Sequence, residues 1–288
     1  MKSAESIKTI GIIGAGTMGS GIASSSAISG FKTLLYDINI EIVNKSIEKI
    51  VNGFTKLVEK GKIDKSAKES AVKNLSGVSK LEEFSGCDFI IEAALEDINK
   101  KKELFQNLET IAANDVILAS NTSSLSITAI STVLKSNRGR VAGMHFFNPA
   151  NIMKLVEVVK GEFTSEEVIN VVVALSRKLG KVPVVCRDTP AFIVNRVARA
   201  FYGEALKILG EESLNAEVID KIMKEEGGFA MGPFELMDLI GIDINLSVTK
   251  SVYEAFYQDQ KYKPSPIQQK MVDAGLLGRK TGQGFYKY

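Results

Sequence analysis

The chain has 288 residues, of which 45% are hydrophobic and 24% charged, a composition typical of a globular protein that buries a core without disulfides. Its 36 basic and 34 acidic residues leave a net charge of +2, which excludes the strongly basic surface of a typical nucleic-acid-binding protein. No apolar run approaches the roughly 18–20 residues of a membrane span, so no membrane partner is expected.

The two cysteines, Cys87 and Cys186, lie far apart in the sequence and lack the spacing of a metal site, so no bound metal is expected. The polar start MKSAESIK is not typical of a secretory signal. Free thiols without such a signal favour a reducing compartment, and we expect a cytoplasmic protein.

The first elements form a strand–helix–strand unit. Residues 8–13 are a short apolar run typical of a buried parallel strand, residues 20–29 form a helix of small residues, and residues 31–36 form a second strand. The loop before the helix reads Gly14-Ala15-Gly16-Thr17-Met18-Gly19. This order predicts a dinucleotide-binding unit with a right-handed crossover.

Each glycine of this loop has an expected task. Gly14 allows the tight turn, Gly16 lets the backbone approach a pyrophosphate, and Gly19 lets the helix lie close to the strand. The start of the helix then offers free N–H groups to the phosphates. Asp37 ends the second strand, where its carboxylate would bind both ribose hydroxyls and repel a 2′-phosphate. No Arg or Lys occurs in residues 38–44, so the sequence favours NAD(H) over NADP(H).

The next segments continue the alternation. Residues 41–80 are predicted to be mostly helical and lysine-rich, as in a solvated helical hairpin that could also meet a phosphorylated substrate. Strands are predicted at 87–92 and 116–119, with a helix at 99–112 between them. Five polar residues then follow, Ser120-Asn121-Thr122-Ser123-Ser124. One of them is expected to cap a helix near 127–134, and the others lie where open α/β sheets bind ligands.

The only histidine, His145, ends a predicted strand at 140–144, and Glu157 lies within the next one, at 155–159. The two residues are symmetric about Asn151, so they would face each other if the strands run antiparallel. A histidine suits proton transfer near neutral pH, and a carboxylate on its other ring nitrogen would fix its tautomer. Beside a nicotinamide, such a pair predicts alcohol/ketone redox chemistry.

A helix at 164–179, capped by Ser165, and a last strand at 182–186 complete the predicted sheet, and the first domain is expected to span 1–187. The remainder, 188–288, is predicted to be helical. Asp188-Thr189-Pro190 has the pattern of a helix start, and the long apolar helix after it, 191–209, contains Asn195. Further helices are predicted at 215–225, 233–241 and 242–257, before a turn-rich tail at 278–286.

The fold class that follows is α/β: a Rossmann-type, doubly wound, mostly parallel sheet with a helical hairpin insertion, followed by an all-α domain. A small all-helical domain with much apolar surface often forms dimer contacts. We therefore expect the C-terminal domain to serve the substrate and dimerisation.

The chain resembles the short, single-function L-3-hydroxyacyl-CoA dehydrogenases, and within them the bacterial 3-hydroxybutyryl-CoA dehydrogenases. The resemblance covers nearly the whole chain. It rests on the glycine loop at 14–19 and on motifs in order at 91–96, 120–124, 145–149, 188–196, 231–233 and 282–286.

The resemblance implies a role for each matching residue. His145 would be the acid/base and Glu157 its orienting partner, while Ser124 and Asn195 would contact the 3-oxygen of the substrate. The residues expected around the nicotinamide are Glu96, Lys101, Asn121 and Asn148. Lys56 is a looser match to a coenzyme A contact. The resemblance also implies a homodimer that acts on acyl-CoA with NAD(H) in fatty acid and butanoate metabolism.

Three other interpretations use similar residues. A β-hydroxyacid dehydrogenase would need a catalytic lysine in the helical domain, whereas this chain offers His145 and Glu157. A gulonate-type dehydrogenase shares that pair, and only substrate assays separate it from an acyl-CoA enzyme. A non-catalytic NAD-binding structural or sensor protein would not need Ser124 and Asn195 as well.

Overall fold

The computed structural model describes residues 2–211 and 214–288. The chain divides between Thr189 and Pro190 into two compact units. Each unit has its own apolar core, so each is described by itself.

The N-terminal unit is built on one eight-stranded sheet with the strand order β3-β2-β1-β4-β5-β6-β7-β8. The strands are β1 (Thr9–Ile13), β2 (Lys32–Tyr36), β3 (Leu75–Val78), β4 (Phe89–Glu92), β5 (Ile117–Ser120), β6 (Val141–Phe146), β7 (Leu155–Lys160) and β8 (Val182–Arg187). Neighbouring strands are parallel except for β6 and β7, which are antiparallel. The predicted Rossmann-type, mostly parallel sheet is confirmed.

Helices connect the parallel strands of this unit. They are α1 (Thr17–Ile28), α2 (Ile40–Glu59), α3 (Lys65–Asn74), α4 (Ile98–Ile111), α5 (Ile127–Ser131) and α6 (Glu166–Lys178). Ser165 caps α6 as predicted, because its side chain accepts a hydrogen bond from the Val168 amide at 3.3 Å. Such a cap contributes about 1 kcal/mol to stability.

The segment 41–80 is mostly helical, as predicted, but it ends in a strand that the sequence did not predict. The helical hairpin of α2 and α3 ends at Asn74, and the chain then forms the edge strand β3 beside β2. A Cβ on Gly77 would lie 2.8 Å from Val43 and 2.9 Å from Ile47, both on α2. The strand thus depends on a close approach of α2 that only a glycine allows.

Two predictions about where helices begin are wrong. None of residues 120–124 caps α5; the cap is Ser126, whose hydroxyl accepts from the Ala129 amide at 3.1 Å. Asp188 does not start a helix. Its carboxylate accepts hydrogen bonds from the amides of Ile127 and Thr128 at 3.0 and 2.7 Å. It therefore binds the N-terminus of α5, a helix that lies far from it in the sequence.

The C-terminal unit is helical, as predicted. Its helices are α7 (Val194–Gly210), α8 (Ala216–Glu225), α9 (Pro233–Ile240), α10 (Ile242–Ala255) and α11 (Pro266–Asp273). The sequence did not predict α11. The long helix begins at Val194 rather than Ala191, because Ala191 and Phe192 adopt positive φ angles of 63° and 49°, which interrupt a right-handed helix.

Candidate active site

The glycine loop between β1 and α1 has the geometry of a dinucleotide site. Gly14 has a φ of +100°, and a Cβ there would lie 2.5 Å from the Ala93 carbonyl oxygen. A Cβ on Gly19 would lie 1.7 Å from the Gly14 carbonyl oxygen. A Cβ on Gly16, in contrast, would meet nothing within 4 Å. Two glycines are thus required by the fold, while the third leaves space above the loop.

The start of α1 suits an anionic ligand. Its N-cap is Gly16, and no side chain caps the helix. The following residues Thr17 and Met18 form its first turn, where backbone N–H groups lack helical partners and the helix dipole is positive. A pyrophosphate at this position would replace the missing cap.

Asp37 lies at the end of β2, directly beside this loop. Its Oδ2 accepts a hydrogen bond from the Ala15 amide at 2.8 Å, and the Gly14 amide donates to the Tyr36 carbonyl at 2.8 Å. These bonds hold the carboxylate against the glycine loop, where a ribose beside a bound pyrophosphate would lie. The residues present therefore fit NAD.

His145 and Glu157 form a buried pair on neighbouring antiparallel strands. They are direct partners in the register of β6 and β7. His145 Nδ1 lies 2.7 Å from Glu157 Oε2, and the two residues are only 6% and 1% exposed. The Phe147 ring lies against the imidazole, with 4.6 Å between ring centroids. An ionised carboxylate only accepts hydrogen bonds, so this contact places a hydrogen on Nδ1 of His145.

The polar loop after β5 is organised by Glu96. Glu96 Oε1 accepts hydrogen bonds from the Thr122 hydroxyl at 2.6 Å, the Ser123 amide at 2.9 Å and the Ser124 hydroxyl at 3.3 Å. Burial alone would raise the pKa of the Glu96 carboxyl, but these bonds and the charge of Lys101 outweigh burial and lower its pKa. Glu96 therefore stays ionised and holds the loop.

Two of the residues expected near the nicotinamide form polar contacts with residues of the sheet. Asn121 Oδ1 accepts from the Phe146 amide at 2.9 Å, which links this loop to the residue after His145. Lys101 is 2% exposed, and its Nζ lies 2.5 Å from Glu92 Oε1 and 3.4 Å from Glu96 Oε2.

The structure pairs His145 with Glu157 and Ser124 with Glu96, while two other predicted residues of the N-terminal unit are exposed. Asn148 is exposed in the turn after β6, and its bond to Pro149 is cis. Lys56 is exposed on α2. Asn195 is the second residue of α7 in the C-terminal unit, and its carbonyl accepts from Arg199 Nε at 3.2 Å.

The sequence assigned no task to Glu92, which the structure places at the centre of the polar contacts around β4. The sequence feature that could have identified Glu92 is an acidic residue at the end of the apolar strand Phe89-Ile90-Ile91-Glu92. Glu157 likewise lies among the valines of β7. Lys181 was missed as well. It is 7% exposed, and its Nζ donates to the carbonyls of Ala150 and Met153, which fixes the loop that follows His145.

The described residues contain neither a metal site nor a membrane-spanning helix. Across 2–211 and 214–288, no three His, Cys, Asp or Glu side chains are grouped so that they could hold a metal ion. Within the same ranges, every helix is too short or too polar to cross a membrane.

Comparison with known proteins accounts for nearly the whole chain. The sequence model of the 3-hydroxyacyl-CoA dehydrogenase NAD binding domain matches residues 9–189, and that of the 3-hydroxyacyl-CoA dehydrogenase C-terminal domain matches residues 192–288. A 3-hydroxybutyryl-CoA dehydrogenase from Clostridioides difficile is 42% identical over 97% of this chain and 99% of its own.

A 3-hydroxyadipyl-CoA dehydrogenase from Escherichia coli is 45% identical over 98% of this chain, which spans only 59% of that longer relative. The crystal structure of (S)-3-hydroxybutyryl-CoA dehydrogenase from Ralstonia eutropha superposes with a TM-score of 0.94 at 40% identity, covering 98% of this chain and 99% of that one. With both domain models matched in order, the chain belongs to the 3-hydroxyacyl-CoA dehydrogenase family of NAD-dependent enzymes.

Proposed function

We propose that the chain interconverts L-3-hydroxybutyryl-CoA and acetoacetyl-CoA with NAD(H), with His145 as the acid/base and Glu157 as its orienting partner. The observation that carries this proposal is the buried 2.7 Å contact between His145 Nδ1 and Glu157 Oε2. The substrate class follows from the family and from the relatives in Clostridioides difficile and Ralstonia eutropha, which are named for 3-hydroxybutyryl-CoA.

The tautomer of His145 with its hydrogen on Nδ1 defines the proposed path of the proton. In oxidation, Nε2 of neutral His145 takes the proton of the 3-hydroxyl group, while the hydride of the C3–H bond leaves and a C3=O bond forms. Glu157 stabilises the imidazolium that results. In reduction, protonated His145 returns the proton to the 3-keto oxygen. General acid–base help of this kind accounts for roughly 10²- to 10⁴-fold of the rate.

NAD, when bound, accepts or supplies the hydride. Gly14, Gly16 and Gly19 would hold its pyrophosphate with Thr17 and Met18, and Asp37 its ribose. Glu96, Lys101, Asn121 and Asn148 would surround the nicotinamide. Ser124 and Asn195 would bind the 3-oxygen of the substrate, and exposed Lys56 a phosphate of coenzyme A. Positioning of this kind can lower the barrier by about 7–11 kcal/mol.

The test is the loss of NADH absorbance with acetoacetyl-CoA, run beside acetoacetate, dehydro-gulonate and an NADPH control. Fast turnover with only the thioester and NADH supports the proposal. Turnover of a free acid alone would keep the His145–Glu157 chemistry but replace the substrate class with a gulonate-type one. No turnover of any of these substrates, with NADH still bound, would point first to a longer acyl-CoA substrate and then to a non-catalytic NAD-binding protein.

We also propose that residues 1–187 form the NAD-binding domain and residues 188–288 the substrate and dimerisation domain of a cytoplasmic homodimer. Apolar side chains of the C-terminal unit support the dimer. Val218 and Ile222 on α8 are 38% and 47% exposed, and Leu239, Ile240 and Ile244 are 49%, 39% and 50% exposed. The two free cysteines fit a reducing compartment. Light scattering on the purified chain tests the dimer through its mass.

A further inference from the structure

A fully buried carboxylate lies at the C-terminal end of β4 and is not used by the proposed mechanism. Glu92 is 0% exposed. Burial of an ionised carboxylate is costly unless charge and hydrogen bonds compensate it. The contacts of Glu92 therefore have to compensate the cost of its burial.

Each side-chain oxygen of Glu92 binds a different part of the site. Oε1 accepts from Lys101 Nζ at 2.5 Å and from the Ala94 amide at 2.7 Å. Oε2 accepts from the Ser120 hydroxyl at 2.6 Å. The backbone carbonyl of Glu92 also accepts from the Asn121 amide, at 2.7 Å. One residue thus anchors α4 through Lys101 and the start of the polar loop through Ser120 and Asn121.

Lys101 is shared between two carboxylates, of which Glu92 is the nearer. Its Nζ lies 2.5 Å from Glu92 and 3.4 Å from Glu96. Glu96 in turn holds Ser124 and the Ser123 amide. Glu96 thus contacts Lys101 through Oε2 and the loop through Oε1.

We propose that Glu92 is a positioning residue of the dehydrogenase site, an inference that rests on the proposed function for the roles of Ser124 and Lys101. Its charge holds Lys101 away from a closer contact with Oε2 of Glu96, so that the Glu96 carboxylate keeps the orientation in which Oε1 binds residues 122–124. Through this arrangement Glu92 sets where Ser124 meets the 3-oxygen of the substrate.

The substitution Glu92→Gln tests the inference, because it keeps the shape of the side chain and removes its charge. Among the described residues Lys101 then has Glu96 as its remaining anionic partner and moves toward Oε2, which turns the carboxylate and weakens the bonds of Oε1 to the loop. We expect kcat with acetoacetyl-CoA to fall by about 10- to 100-fold, the scale on which small misplacements reduce rates. NADH affinity should change much less, because the glycine loop and Asp37 are not affected.

Leu108→Ala is the matched control for loss of stability. Leu108 lies on α4, as does Lys101, and is 0% exposed, but none of the polar contacts involves its side chain. The control should lower the melting temperature and leave kcat nearly unchanged. The positioning role is wrong if Leu108→Ala loses as much activity as Glu92→Gln. It is also wrong if Glu92→Gln keeps the parental kcat.

Hydrogen exchange separates this inference from the proposed function. The Ser123 amide, which donates to Glu96, should exchange faster in Glu92→Gln than in the parent and remain protected in Leu108→Ala. This readout needs no substrate. An inactive parent would overturn the proposed function alone, whereas unchanged protection of Ser123 would overturn the role of Glu92. If Glu92→Gln does not fold, Glu92→Asp keeps the charge, shortens the side chain, and should shift the same readouts less.

Discussion

His145 and Glu157 face each other as direct register partners on β6 and β7, with Nδ1 and Oε2 separated by 2.7 Å. This contact depends on the single antiparallel pairing in a sheet whose other neighbouring strands are parallel. A strand that returns beside its predecessor places opposite residues within reach of one another. The catalytic pair of the proposed mechanism is therefore a consequence of the sheet topology.

Glu157→Gln should lower kcat and leave NADH binding intact. The amide can still contact His145, but it carries no charge to stabilise the imidazolium and can stabilise the wrong tautomer. We expect a loss of about 10²- to 10⁴-fold, the range of the general acid–base contribution that depends on the pair. Steady-state kinetics and NADH fluorescence titration measure the two effects, and a parental kcat at all pH values would rule the pair out.

Two substitutions in the glycine loop should affect different properties, NADH binding in one case and stability in the other. Gly16→Ala places its Cβ in open space, so stability should hardly change while NADH binding weakens. Gly19→Ala places its Cβ 1.7 Å from the Gly14 carbonyl oxygen, so the backbone must move, at a cost of about 1–3 kcal/mol or more. Thermal melts and NADH titrations of both variants check this. Equal losses of stability would contradict the assigned tasks of the two glycines.

Asp37→Asn should shift the cofactor preference toward NADPH. The amide can still accept a hydrogen bond from the Ala15 amide, which keeps the loop in place. It no longer repels a 2′-phosphate, and it binds the ribose hydroxyls less strongly by about 1.5 kcal/mol, or roughly tenfold in NADH affinity. Dissociation constants for NADH and NADPH provide the measurement. An unchanged ratio would mean that another group selects the cofactor.

Several of these features could be predicted from the sequence because they depend on local pattern. The apolar runs, the glycine loop and the symmetry of His145 and Glu157 about Asn151 were sufficient for the sheet and the pair. Edge strand β3 was missed because Leu75-Ser76-Gly77-Val78 has only two large apolar residues and depends on pairing with β2 and packing against α2. Asp188 was misassigned because its partners, the amides of α5, lie about 60 residues earlier in the chain.

Part of the loss of stability on acidification should come from Glu96. Its pKa is lower in the folded chain than its ordinary value of 4.5. Its stabilising contribution is thus complete above pH 4.5 and is lost as the pH falls through the folded pKa. The difference in melting temperature between the parent and Glu96→Gln should be largest near neutral pH and shrink below pH 4.5. A difference that stays constant with pH would exclude this linkage.

The most direct measurement is the turnover of acetoacetyl-CoA with NADH by the parent chain and by His145→Gln, each with its NADH dissociation constant. We predict an active parent and a variant that binds NADH equally well but loses at least about 10²-fold in kcat. A variant with near-parental turnover would contradict it, because the proton would then come from a group other than His145.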